Sequence, residues 1–316
     1  MWLGYSLMPR PLRVFLIIIL IGIALFAVSC IPPNPTPTAF GPSDQTPATP
    51  TVHLRTKMPI ATNIPMTPSV TPTVTPLSPG FTSTPGIGST RAGVDGMTLL
   101  YVPEGEFTMG SSNGNSNEKP AHQVYLDAFW IDKTEVTFDM YSLCIESGDC
   151  EKPAAVSYSH NDLPMDSVTW YQANAYCTWA GRRLPTEAEW EKAARGTDQR
   201  IYPWGNYEPN SNVLNMNQYG PASVGGFLEG ASPFYALDMA GNVWEWVNDW
   251  YDEIYYRNSP RANPEGSTAG VSKVIRGGSW DFSADSKLVR TTTRARHDPS
   301  TAWFRLGFRC AIDVSP

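Results

Sequence analysis

The chain is short of the residues from which most zinc and nucleic-acid sites are built. Its 316 residues include four scattered histidines (His53, His122, His160, His297) and no Cys-x-x-Cys pair. A zinc site of the usual spacing therefore has little to be made from. Positive charge is also scarce, with 23 Lys and Arg against 30 Asp and Glu and a formal net charge of −7. Arg10 and Arg13 contribute +2 and residues 31–90 contribute +1, which leaves −10 for residues 91–316. That sign argues against nucleic acid or anionic lipid as the partner of the C-terminal part, and it is compatible with a divalent cation. Long apolar runs are few. Val14–Val28 is 15 residues, apolar apart from Gly22, and falls short of the roughly 20 that a spanning helix needs.

That run has the length of a signal-peptide core instead. It follows Arg10 and Arg13 and stops at Ala27-Val28-Ser29-Cys30, which resembles a bacterial lipobox, where the cysteine is acylated and becomes the new N-terminus. Ala27 stands where that pattern prefers Leu. Residues 1–30 are thus expected to be a signal peptide with lipidation at Cys30; a plain signal peptide and an uncleaved anchor are the other readings. All three put the rest of the chain outside the cytoplasm, at the cell surface or on the membrane. Residues 31–92 then form a stalk. Positions 31–90 contain 14 Pro, 14 Thr and only three charged residues (Asp44, Arg55, Lys57). Such a segment cannot bury enough apolar surface to offset its ordering entropy. It is expected to be a disordered, semi-stiff spacer, from roughly 40 Å as a coil to under ~190 Å when extended.

Composition changes near residue 93, and ten of the eleven tryptophans lie beyond it. Residues 93–316 are long enough for one sizeable core. Four cysteines fall here: Cys144, Cys150, Cys177 and Cys310. An even number in an exported domain favours disulfides over free thiols. Cys144 and Cys150 flank a Ser147-Gly148-Asp149 turn that can close a local loop, and Cys177 with Cys310 would then staple the middle of the domain to its end. Met97–Met109 reads as a hairpin turning at Pro103-Glu104-Gly105, and His122–Ile131 as an edge strand. Ser167 is placed to cap a helix over Val168–Ala180. Thr186, with Glu189 three residues on, opens a second helix with a capping box. Short strands are expected near Asn242–Trp246, Lys273–Arg276 and Leu306–Ala311.

Six strings occur in order: Phe107-Thr108-Met109-Gly110, Ala180 through Glu191 (AGRRLPTEAEWE), Tyr202-Pro203-Trp204-Gly205, Asp238 through Trp246 (DMAGNVWEW), Arg276-Gly277-Gly278-Ser279-Trp280, and Leu306-Gly307-Phe308-Arg309-Cys310. Together they resemble the formylglycine-generating enzyme, or sulfatase-modifying factor, family over residues 93–316. The resemblance implies an α+β fold, a compact variant of the C-type-lectin-like fold with little regular structure, and it supports the Cys177–Cys310 pairing. It also implies calcium as a structural ion, at Gly241, Asn242, Val243 and Glu245 and at a second place near Asn215, Met216, Gly225 and Phe227. Acidic, loop-rich chain supplies the hard oxygens that calcium takes. The competing view is that Asn242 and Glu245 only cap and pair within the core.

The family's enzymes oxidise a sulfatase cysteine to formylglycine with copper held by two cysteines after the Gly-Gly-Ser-aromatic motif. In this chain those positions are Phe282 and Lys287. Copper(I) needs soft thiolates, so copper and this oxidase chemistry are not expected. A related branch, the ergothioneine-pathway sulfoxide synthases, uses histidine-held iron drawn largely from an upstream helical domain, for which the stalk leaves no room. His297 beside Asp298 is more simply a turn. Glu187, Glu189 and Glu191 alternate on a helix and cannot converge on one substrate atom, so capping and surface salt bridges are expected of them. Arg276, Arg290, Arg294, Arg296 and Arg309 are either buried ion-pair partners or an anion-binding group. A groove lined by Trp280, Phe282, Arg294, Arg296 and Trp303 would be the place for a ligand. The expected function is a calcium-stabilised, non-catalytic binding module with no catalytic residues, tethered by its N-terminus and taking an extracellular peptide, protein or glycan. The alternative is an oxidoreductase of the same superfamily with a different constellation.

Overall fold

The computed structural model describes residues 84–155, 160–216, 218–281 and 286–314. The expected signal peptide, Cys30, nearly all of the stalk, and Phe282 lie outside these residues. The strands β1 (Thr90–Ala92), β2 (Thr98–Val102), β5 (Phe129–Asp132) and β10 (Ala311–Asp313) form an antiparallel sheet in the order β1-β2-β5-β10. The folded chain therefore begins ahead of residue 93. β3 (Gly105–Met109) pairs with β4 (His122–Leu126) alone. A third sheet runs β8 (Ala295–His297), β7 (Lys273–Arg276), β6 (Trp244–Trp250) and β9 (Leu306–Phe308), with β6 and β9 parallel. Among the described residues there are also three α-helices, α1 (Phe138–Ser147), α2 (Trp170–Trp179) and α3 (Glu187–Arg195), and four short 3-10 turns.

Several expectations change on contact with this architecture. Met97–Met109 is not a hairpin, because β2 and β3 belong to different sheets. Leu99–Val102 are all buried, which suits an inner strand flanked by β1 and β5. His122–Ile131 is likewise two strands. At the break the Asp127 N–H donates to Asn263 Oδ1 instead of to a ladder, and β5, beyond it, is wholly buried rather than an edge. Leu306–Ala311 divides into β9 and β10 in separate sheets.

Local signals decide the helices. Ser167 cannot cap α2, since it holds a left-handed φ of 58° and its N–H donates to the Trp303 carbonyl. The cap is Thr169, two residues later, in a reciprocal box with Gln172. Thr186 and Glu189 form the expected box on α3. α1 was not anticipated, although Thr137 caps it and Gly148 closes it at φ 86°.

Two large apolar cores result, with a smaller third around Tyr202, Trp204 and Leu214. One packs α1 and α2 on β6 and β9 through Tyr141, Tyr176, Trp246 and Phe308. The other packs α3 on β3, β4 and β5 through Phe107, Phe129 and Trp190. Each such side chain contributes on the order of 1.5–3 kcal/mol when fully buried. The structure joins Cys144 to Cys150 and Cys177 to Cys310. All nine residues of α3 are buried, charged ones included. A buried charge is tolerable only when paired or hydrogen-bonded, and each of these is one or the other. Glu187 accepts from Arg276 and Arg294, Glu191 from Arg195 and Arg276, and the Lys192 ammonium donates to the carbonyls of Pro103 and Gly105. The salt bridges of Glu187 and Glu191 are thus interior, not superficial as expected.

Candidate functional site

The segment after β7 turns through Gly277 and Gly278, at φ 94° and 80°. A Cβ on Gly278 would come within 3.0 Å of Val289 and 3.1 Å of the Leu288 carbonyl, so the close approach needs glycine. The turn delivers Trp280 into a buried position. Its backbone N–H donates to the Asn242 carbonyl at 2.8 Å, and its backbone carbonyl accepts from the Gln218 N–H at 3.2 Å. Arg305, from the loop before β9, lays its guanidinium over Trp280, Trp303 and Phe304 at 5.2, 5.7 and 4.5 Å from the ring centres. Arg305 also pairs with Asp281, which is held in turn by the Ser279 hydroxyl at 2.6 Å. Trp303 is backed by the His297 ring, stacked at 5.6 Å, and His297 rests on Trp246. The result is a small site of three aromatic rings around a neutralised guanidinium. Two of its N–H donors, Trp280 Nε1 and Arg305 Nε, are buried and meet no acceptor.

Of the expected groove residues, Trp280 and Trp303 come together here. Arg294 does not. It is buried, grips Glu187 through two bonds of 2.6 and 2.8 Å, and lies over Tyr256. Arg296 is exposed on β8 and stacks on Tyr251. Arg276 and Arg309 are fully buried in ion pairs, and Arg290 pairs with Glu118. The arginine group is therefore mainly structural. Lys287 is exposed, and its carbonyl accepts from Arg290 and Thr293. Asp298 accepts from the Ser300 N–H and hydroxyl, an ordinary turn. Phe304, Arg305 and Asp281 were missed; the only hint was the Trp303-Phe304-Arg305 run just ahead of the Leu306–Cys310 motif.

The residues expected to hold calcium fall into one region, but several are already engaged. Asn242 Oδ1 accepts from Asn215 Nδ2 and the Ala222 N–H at 3.1 and 2.9 Å. Gly225 donates its N–H to Asp238 Oδ2 at 2.6 Å. Glu245 accepts from Arg309 at 2.6 and 2.7 Å and from Trp190 Nε1 at 2.7 Å, so both its oxygens are taken. Beside it lie two buried carboxylates not singled out in the sequence, Glu135 and Asp238. Neither oxygen of Glu135 receives a hydrogen bond. Burial, then repulsion from Asp238 and Glu245, pushes the Glu135 carboxyl well above its usual range, and burial raises Asp238 too. Three carboxylates thus face one guanidinium. Glu135 and Asp238 hydrogen-bond to each other, so a retained proton meets that deficit of positive charge, and among the described residues no group of three or more acidic, His or Cys side chains is arranged to hold a metal ion. The Asn215 amide donates to that of Asn242, whose own N–H donates to the Ala222 carbonyl.

Asp166 is a further buried acid, beside the Ser167 hydroxyl. Burial raises its carboxyl to about 7, opposed only by the Ser167 hydroxyl. Because the folded pKa lies above the unfolded one, the native state holds the extra proton, and stability falls as pH rises from ~4 through about 7. Asp166→Asn is expected to remove this slope and to raise stability at pH 8 by about 1–3 kcal/mol, the amide's own burial cost offsetting part of the gain. Urea unfolding at pH 5 and pH 8 checks it, and an unchanged slope would refute the assignment.

Irregular chain, three small sheets and two disulfides define a formylglycine-generating-enzyme-like variant of the C-type-lectin-like fold. Residues 88–314 match the family model described as the sulfatase-modifying factor enzyme 1-like domain, and the chain belongs to that family. It is 30% identical to the formylglycine-generating enzyme of Streptomyces coelicolor, over 75% of this chain and 95% of that one. It is 33% identical to the serine/threonine-protein kinase pkn1 of Chlamydia caviae over 68% of this chain, a match that spans 38% of the kinase. The structure of PvdO from Pseudomonas aeruginosa superposes with a TM-score of 0.64 at 22% identity, covering 73% of this chain and all of PvdO.

Proposed function

We propose that the chain is an exported, membrane-tethered, non-catalytic member of its family that holds an extracellular ligand at the Arg305 site. The supporting observation is the state of the cysteines. All four in the domain are spent in two disulfides, which leaves Cys30 as the one other thiol in the sequence. A two-thiolate copper site cannot be assembled from that, and Lys287 offers an ammonium where the family places a thiolate. Two disulfides also suit an oxidising compartment, as the leader and the lipobox-like Cys30 do. Calcium would be held by backbone carbonyls of the loops around Asn215 and Asn242, since the carboxylates of Glu245, Glu135 and Asp238 are engaged with Arg309 and one another, and it would brace those loops. The chemistry it would supply is coordination of those carbonyls.

The test uses the purified full chain with a cysteine-bearing sulfatase peptide, copper and oxygen. Mass spectrometry is expected to return the peptide unmodified, and metal analysis to find calcium without stoichiometric copper or iron. Conversion to formylglycine, or a redox metal at one per chain, would overturn the proposal and favour an enzyme.

A further inference from the structure

A cavity of about 310 Å³ opens beside the loop that follows β3, with Ser111, Ser112, Asn113, Arg195, Arg290 and Thr292 in its lining. No acidic residue lines it. Its two guanidiniums come from distant parts of the chain and are tied to the same short backbone segment. Arg195 donates to the Gly110 carbonyl at 2.7 Å. The next residue, Ser111, donates its backbone N–H to the Glu118 carbonyl, and the Glu118 carboxylate accepts from Arg290 and from the Thr292 hydroxyl, each at 2.7 Å. Arg290 is therefore fixed, yet one corner of it is open. Its Nε donates to the Lys287 carbonyl and its Nη2 to Glu118. Its Nη1 meets no acceptor among the described residues and is not sealed from water. The loop adds neutral donors beside it. The Ser111 hydroxyl accepts from the Asn113 N–H, which leaves its own proton to give, and Ser112 and Asn113 are exposed.

The charge around the cavity is unbalanced in the same direction. Four guanidiniums, those of Arg195, Arg276, Arg290 and Arg294, share the three carboxylates of Glu118, Glu187 and Glu191. Asp249, which accepts from the Glu187 N–H, does not close the gap. Burial raises its carboxyl to about 8, so at neutral pH it keeps its proton. One positive charge is left over, and Arg290 presents it at the cavity. The net charge of −10 over residues 91–316 does not cancel it, because exposed charges more than about 8 Å away are largely screened at physiological salt. A single surplus charge suits a monoanion, and the planar guanidinium suits a carboxylate. Hydroxyl and amide neighbours suit a ligand that carries hydroxyls of its own. We propose that this cavity holds a small hydroxylated carboxylate, a sugar acid of the uronate class, with its carboxylate on Arg290 and its hydroxyls on Ser111, Ser112 and Asn113. None of these residues belongs to the rings around Arg305, so the inference stands independently of that site.

The test is equilibrium dialysis of the purified full chain against radiolabelled glucuronate at neutral pH and low salt, with glucose, N-acetylalanine and sulfate as competitors. Glucuronate is expected to bind saturably and about tenfold more tightly than any of the three. Arg290→Gln, which keeps an N–H for Glu118, should weaken it about tenfold or more. Ser112→Asp, an exposed change that sets a like charge at the mouth, should weaken it about five- to tenfold and decides the matter if the first variant misfolds. Absence of saturable binding, equal affinity for glucose, or affinity unchanged in Ser112→Asp would overturn the inference. N-acetylalanine binding as well as glucuronate would overturn the sugar-acid assignment, and tighter binding of sulfate would overturn the choice of a monoanion. Oxidation of the sulfatase peptide, which would overturn the non-catalytic reading, is a separate result and leaves this one untouched.

Discussion

Replacing Cys177 and Cys310 by serine is expected to lower stability by about 5 kcal/mol, the largest loss from any single cross-link in the protein. The bond joins α2 to the crossing between β9 and β10 and closes a sequence separation of 133 residues. Severing it frees a long loop in the unfolded chain, whereas the Cys144–Cys150 bond spans a separation of only six. On chain-entropy grounds the short loop is worth about half as much. Both cysteines of the long bridge are fully buried, and serine there would add two poorly satisfied hydroxyls. Urea unfolding of the double variant against the parent measures the difference. A loss below that caused by opening Cys144–Cys150 would show that the long bridge is not the main staple.

Arg309→Leu is expected to cost about 3–5 kcal/mol, as removal of one partner from a buried ion pair does. Arg309 is fully buried and binds Glu245 through two bonds, with Glu135 and Asp238 alongside. Without it, three interior carboxylates have no fixed cation. Since the folded values of Glu135 and Asp238 are already raised, native protein takes up protons there more readily than unfolded protein does. The damage should therefore shrink as pH falls from 8 to 5. Chemical denaturation across that pH range provides the check; a cost under about 1 kcal/mol at pH 8 would mean the guanidinium is replaceable by solvent.

The sequence disclosed the parts of this molecule whose cause is local. Thr186 and Glu189 announce a helix start because both halves of the box lie within one turn. The Cys144–Cys150 bond was legible for the same reason, its ends lying six residues apart around a Ser-Gly-Asp turn. What stayed hidden was set at long range. Nothing near Pro103 reveals that β2 and β3 pair with different strands, and nothing near Ser167 reveals that Trp303 takes its N–H. Glu187 and Glu191 looked like surface residues because charge usually means exposure. Their partners Arg276 and Arg294 lie 85 to 107 positions away, so only the folded chain shows them to be interior. The ligand site divides the same way. Trp280 was legible from its motif, while Arg305 gained its place from three rings that only the fold assembles.

The outermost strand of the first sheet has a mechanical consequence. β1 is three residues long, entirely exposed, and joined along one side only, to β2. It is also the first strand among the described residues, so a pull transmitted from upstream of residue 84 would reach it before the other described strands. Its few rungs would peel away at low force and lengthen the chain ahead of the head. β2, clamped between neighbours, would take up the load next and shield the long covalent bridge. The edge strand would thus act as a sacrificial link, yielding first while the body of the domain stays folded.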